Sequence, residues 1–175
     1  MFKTGATIYS FAYNSTGFLE AITDINGNVT TIERDNRINP IAIISPGGQR
    51  TSLDVDSNGY LSIVSNPAGE TTQFSYTAKG LLTSLTDPKG YIHIFTYDDM
   101  GVLVKDEDPA GGYKTLSRTL TNNSNLKTST MTTAMGRVKT FIIENLATGA
   151  SKSTNTDSSG LKTVTNIDTD GTSIT

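Results

Sequence analysis

The chain has 175 residues, of which 35% are apolar and 18% charged, with a net charge of −3 and neither Trp nor Cys. Ordinary globular domains are roughly 45–50% apolar, so a thick single core is not expected. The mild charge, without long like-charged runs, excludes an electrostatic footprint for nucleic acid.

The opening stretch, MFKTGATIYS, has no apolar core of a signal peptide and runs almost at once into a strand-like pattern, which suggests a piece of a larger protein. No segment approaches the roughly 18–20 apolar residues of a membrane-spanning helix. From residue 7 onward the punctuation is periodic. Gly27, Gly48, Gly69, Gly90 and Gly111 are spaced 21 residues apart. A second column, ten residues earlier, holds Gly17, Gly59, Gly80 and Gly101, with Ile38 as the exception. Pro46, Pro67, Pro88 and Pro109 precede the later glycines, with Ile25 in the first copy, and Asp24, Ser45, Asn66, Asp87 and Asp108 precede that column in turn. Apolar residues keep the same register. Phe11, Ile32, Leu53, Phe74, Phe95 and Leu116 form one column, and Tyr13, Arg34, Val55, Tyr76 and Tyr97 lie two residues further on. Leu19, Leu61, Leu82 and Leu103 form another, interrupted by Pro40.

Each column has a chemical reason. An Asx or Ser, then Pro, any residue and Gly supply a side-chain acceptor, a fixed φ and a permissive last position, the signature of a type I turn. YNSTG, DSNG, TAKG and DDMG end in glycine after an Asx or Thr and predict a short hairpin loop with glycine in the left-handed region. The intervening runs, such as YIHIFTY, are too short for helices and rich in β-branched and aromatic residues. Strand periodicity puts Phe95 and Tyr97 on one sheet face and Ile92, Ile94 and Thr96 on the other. Each repeat is therefore two antiparallel strands and two turns, and the expected fold is all-β: tandem hairpins in a continuous meandering, curved antiparallel sheet. Past Gly112 the period breaks. Residues 113–130 have no clear match, and glycines return only at Gly136, Gly149, Gly160 and Gly171. The expected organisation is five regular repeats over 7–111 and degenerate repeats over 112–175 that continue the sheet.

The stretches YDDMGVLVKDEDPAGGY, YTAKGLLTSLTDPKGY and VDSNGYLSIVSNPAGE resemble the RHS/YD-repeat family, which includes bacterial RHS proteins, shell-forming components of toxin complexes and teneurin ectodomains. The residues that carry the resemblance are Tyr97, Asp98 and Gly101, with Asp87, Pro88, Gly90, Asp108, Pro109 and Gly111. The family's arginine after the glycine is replaced by Phe18, Tyr60, Leu81 and Val102, and the Tyr-Asp pair is intact only at Tyr97-Asp98. The resemblance implies a non-enzymatic segment of a β-sheet shell that encloses or presents a toxin cargo, secreted or at a cell surface. Its partners would be the rest of a larger polypeptide and that cargo, with no nucleic acid and no membrane span. Exposed edge strands would invite self-association.

Sites of other kinds are weighed against the turns. His93 is the single histidine, and without Cys or a second His it supports neither a zinc site nor a Ser-His-Asp triad. Asp54, Asp56 and Asn58 before Gly59 imitate the front of a calcium loop, and Asn155, Asp157 and Ser159 before Gly160 echo it. In the first, however, the loop's twelfth position is Ser65 rather than Glu. Asp98, Asp99, Asp106, Glu107 and Asp108 could form an acid/base couple only in a closed pocket, whereas turn residues are solvated. No metal and no cofactor are expected. The alternative function is a carbohydrate-binding or adhesion module in which Tyr60, Tyr76 and Tyr97 face a ligand. Asn14-Ser15-Thr16, Asn28-Val29-Thr30 and Asn122-Asn123-Ser124 match the glycosylation sequon.

Overall fold

The computed structural model describes residues 8–121 and 125–175, so the third sequon lies outside the described residues. These residues form sixteen strands and no helix, in two compact units that divide between Ile92 and His93. The first unit contains β1 (Tyr9–Tyr13), β2 (Leu19–Asp24), β3 (Val29–Arg34), β4 (Pro40–Ile44), β5 (Arg50–Val55), β6 (Leu61–Ser65), β7 (Thr71–Tyr76) and β8 (Leu82–Thr86). They lie in chain order, each antiparallel to the next. β9 (Ile92–Tyr97) lies in the second unit from His93 onward. It is followed by β10 (Leu103–Glu107), β11 (Tyr113–Thr121), β12 (Leu126–Thr133), β13 (Val138–Asn145), β14 (Ser151–Thr156), β15 (Lys162–Ile167) and β16 (Ser173–Ile174), again in antiparallel sequence. The meandering all-β fold expected from the sequence is therefore present in both units.

One local structure makes the hairpins. At Asp24 the residue's N–H donates to the Asn28 carbonyl at 3.0 Å, while the Gly27 N–H donates to the Asp24 carbonyl at 3.0 Å. The same pair of bonds recurs from Asn14 through Asp168. This is a type I turn followed by a bulge residue with positive φ, the position that favours glycine. Ile38 fills it with φ of 72°, the one non-glycine residue with positive φ among the described residues. The later turns at Gly136, Gly149, Gly160 and Gly171 use the same bonds, so the lost proline and changed spacing did not loosen them.

A second device recurs every repeat. Tyr76 faces Leu82, but Ser75 faces Ser84, so Thr83 is an extra residue on β8. Equivalent shifts occur where Tyr13 faces Leu19, Arg34 faces Pro40, Val55 faces Leu61 and Tyr97 faces Leu103. Because side chains alternate, this extra residue turns two residues spaced by three onto one face. The columns then meet in pairs: Phe11 with Ile22, Ile32 with Ile43, Leu53 with Val64, and Phe74 with Leu85. The opposite face pairs Ala12 with Ala21, Thr31 with Ile44, Asp54 with Ile63 and Ser75 with Ser84, so it is mixed in character and carries no aromatic column in these pairs. Among the described residues only Ala42 is fully buried. Cohesion therefore rests on cross-strand pairs, each contributing about 0.2–1 kcal/mol, rather than on an enclosed core.

Candidate functional site

The turn carboxylates are occupied by their own backbone. Oδ1 of Asp98 accepts from the N–H groups of Met100 and Val102 at 3.0 and 2.8 Å. Asp87 holds Lys89 and Tyr91 at 2.8 and 2.9 Å, and Asp108 holds Ala110 and Gly112 at 2.9 and 3.0 Å. In the calcium-like stretch, Asp56 accepts from Asn58 and Tyr60 at 2.9 Å each. Asp54 lies on β5 opposite Ile63, away from that turn. Asp157 likewise holds Ser159 and Leu161, while Asn155 lies on β14 opposite Phe141. Among the described residues no group of three His, Cys, Asp or Glu side chains is placed to hold a metal ion.

These bonds favour the charged form of the acid. The Asn28 side-chain amide, with backbone N–H groups behind it, holds Asp24 below its ordinary pKa. The Ser159 hydroxyl and backbone do the same for Asp157, and Thr172 does so for Asp170. For Asp35, desolvation pushes upward but is outweighed by the Asn39 side chain and backbone, so the net direction is again down.

The β10 carboxylates do not form an acid/base couple. Asp106 faces Phe95 and Lys114 on the apolar side. Glu107 is on the other side, where its Oε2 meets the Lys105 ammonium at 2.8 Å. Lys105 also stands over the Tyr113 ring, 4.8 Å from its centroid. His93 shares a face with Phe95 and Tyr97 and is half-buried.

The tyrosines proposed to face a ligand are placed unequally. Tyr60 and Tyr76 pack on each other, with centroids 5.2 Å apart and planes tilted by 39°. The Tyr60 ring also covers Gly80, where a Cβ would meet three ring and hydroxyl atoms at 2.8–2.9 Å. Tyr97 is half-buried opposite Leu103. A parallel contact joins Phe18 and Arg34. The guanidinium carbon lies 5.1 Å from the ring centroid, and the two amino groups donate to the carbonyls of Ile38 at 3.0 Å and Leu19 at 3.4 Å. After Gly17 and Gly59 the next residue thus packs on the residue 16 positions later, in the tyrosine column.

In the second unit that seam is open. A concavity of about 390 Å³ lies among Val102, Leu103, Leu116, Arg118, Met131 and Phe141. The sequence reading did not single it out. Its signals were Val102 in a slot held elsewhere by Phe18 and Tyr60, and Arg118 two residues after Leu116, in the tyrosine column.

Short hairpins of fixed length, one turn chemistry and a recurrent bulge define a tandem β-hairpin repeat protein. The chain matches the family model described as "Teneurin YD-shell" over residues 2–175, and it belongs to that family. It is 48% identical to human Teneurin-1 over 54 residues, 31% of this chain and 2% of that protein. Over 58 residues it is 38% identical to mouse Teneurin-3, covering 33% of this chain and 2% of that one. The chain thus spans only a small fraction of the length of these relatives. Among solved structures it is similar to a chain in the crystal structure of TcdB2-TccC3-Cdc42, with a TM-score of 0.60 and 15% identity over 91% of this chain and 10% of that one. It is equally similar to a chain of the Photorhabdus luminescens Tc holotoxin pore, with a TM-score of 0.60 and 13% identity over 95% of this chain and 10% of that one. At these identities the likeness is one of fold.

Proposed function

We propose that this chain is a non-enzymatic stretch of shell wall in a larger secreted or cell-surface polypeptide, one that encloses or presents a toxin cargo domain. Residues 7–111 act as the regular wall, and 112–175 continue it with degenerate repeats. The observation that carries this reading is a first unit with an unbroken apolar face and, among the described residues, almost no buried core. Phe11 and Tyr13 on β1 are 54% and 60% exposed, although they begin the same columns that Phe74 and Tyr76 continue. A sheet built this way is completed by strands added at its edges. The kinship with toxin-complex chains and the family's description as a shell support the same reading. The pairing of Lys105 with Thr115 across the change of period supports one continuous sheet. In this role Tyr97-Asp98-Gly101, Asp87-Pro88-Gly90 and Asp108-Pro109-Gly111 set the hairpin length.

Sedimentation velocity over a range of concentrations tests this. The wall reading expects reversible self-association that weakens when Tyr9→Pro removes an outward-facing N–H on β1. A monodisperse monomer that binds glycans on an array, with loss on Tyr97→Ala, would replace it with the adhesion reading.

A further inference from the structure

The open seam of the second unit points to a binding site, and we infer that it receives the aromatic ring of a Phe or Tyr side chain presented by a polypeptide. The inference rests on the chain's own repeats. Phe18 and Arg34, Tyr60 and Tyr76, and Val102 and Arg118 are three pairs with the same separation of 16 residues, although Arg34 and Tyr76 end β3 and β7 beside a turn whereas Arg118 lies within the longer β11. In the first two a ring from the residue after glycine fills the seam, capped by a guanidinium at 5.1 Å or a second ring at 5.2 Å. In the third, Val102 is too small to reach across. The row opposite Arg118 is Ser129 and then Phe141, so the middle of the floor is also small. The outcome is the concavity of about 390 Å³, within the ordinary range of ligand pockets and walled mainly by apolar side chains. At Asn39 and Val55 the slot takes a different course, because the Asn39 amide turns back to the Asp35 carboxylate at 3.2 Å.

Two features select an aromatic ring over an aliphatic group. The Arg118 side chain forms no ion pair or side-chain hydrogen bond among the described residues, which leaves its guanidinium available for a ring face as Arg34 is for Phe18. Phe141, 42% exposed, offers a ring edge or face from the far side, and Met131, opposite Leu116, adds a polarisable thioether to the lining. A polypeptide source is favoured because both filled seams are filled by one local sequence. Gly17-Phe18-Leu19 and Gly59-Tyr60-Leu61 deliver the ring from an extended strand start, with the leucine paired to the adjacent column.

The probe is the blocked tripeptide acetyl-Gly-Tyr-Leu-amide, titrated into the full chain and followed by amide shifts in two-dimensional NMR. Saturable shifts at Val102, Leu116, Met131 and Phe141 are expected, with acetyl-Gly-Val-Leu-amide at least tenfold weaker. Val102→Tyr supplies the missing ring internally and should abolish binding. Tyr60→Val opens the equivalent seam beside Tyr76 and should raise the stoichiometry from one site to two, which keeps the test informative if Val102→Tyr does not fold. Equal binding of the valine peptide, or unchanged binding by a folded Val102→Tyr chain, overturns the inference. Saturation by free p-cresol with no response to the tripeptide would reassign the site to small phenols and also overturn it. None of these outcomes depends on edge-strand association, so they stand apart from the test of the wall reading.

Discussion

Two glycines with the same backbone geometry should respond differently to the same substitution. Gly59 and Gly80 occupy equivalent turn positions, with φ of 87° and 82°. An added Cβ at Gly59 meets nothing within 4 Å, so Gly59→Ala costs the left-handed backbone term alone, about 1–2 kcal/mol before a small offset from the stiffer unfolded chain. At Gly80 the Cβ would lie 2.8 Å from Cε1 of Tyr60. The tyrosine ring can swing aside, but only by giving up its packing on Tyr76, a further ~0.5–1.5 kcal/mol. Gly80→Ala is therefore expected to cost about 1 kcal/mol more than Gly59→Ala. Urea unfolding of the full chain measures both, with an unchanged slope confirming that the unfolded reference is the same. In a Tyr60→Val background the two costs should converge, because the ring that Gly80 accommodates is gone. Equal costs in the wild-type background would show that Tyr60 is not held over Gly80 in solution.

Ile38→Asn should raise stability by up to ~1 kcal/mol, seen as a higher urea midpoint, since Asn tolerates the left-handed region that a β-branched residue resists. Asp98→Ala should cost about 1–2 kcal/mol in the same assay, through two lost backbone hydrogen bonds, whereas Asp99→Ala at the neighbouring exposed position should cost almost nothing. Arg34→Tyr should stay within ~1 kcal/mol of wild type, because a second ring can replace the guanidinium against Phe18, as Tyr76 does against Tyr60; Arg34→Ala should lose about 2 kcal/mol. Acid should weaken the fold through Asp24, Asp35, Asp157 and Asp170, whose carboxyls lie below the ordinary value of 3.8 when folded. The unfolded chain then binds more protons than the folded one, so their contribution is present above about pH 3.8 and is lost as the pH falls through the lower folded values. Urea midpoints between pH 2 and 6 check this, and Asp24→Asn should flatten the curve.

The sequence by itself determined the hairpins. An acceptor at the first turn position and glycine at the fourth are local demands of one backbone shape, so they can be read along the chain without knowing any contact. Strand faces followed for the same reason, because alternation is a property of a single strand. Where the local cues lapse, between residues 113 and 130, the reading found no repeat, yet β11 and β12 pair over eight consecutive positions. Long-range pairing there replaces turn chemistry as the organiser. The tertiary structure alone decided which columns meet. The extra residue at Thr83 and its equivalents cannot be read from a period of 21, yet it brings Leu82 and Leu85 to the same face as Tyr76 and Phe74. It also decided which tyrosines are engaged and which seam is open, because both depend on residues 16 apart in sequence meeting across neighbouring hairpins. A turn is specified by its own four or five residues, whereas a seam is specified by the fit between two repeats, and that fit exists only once the strands are paired.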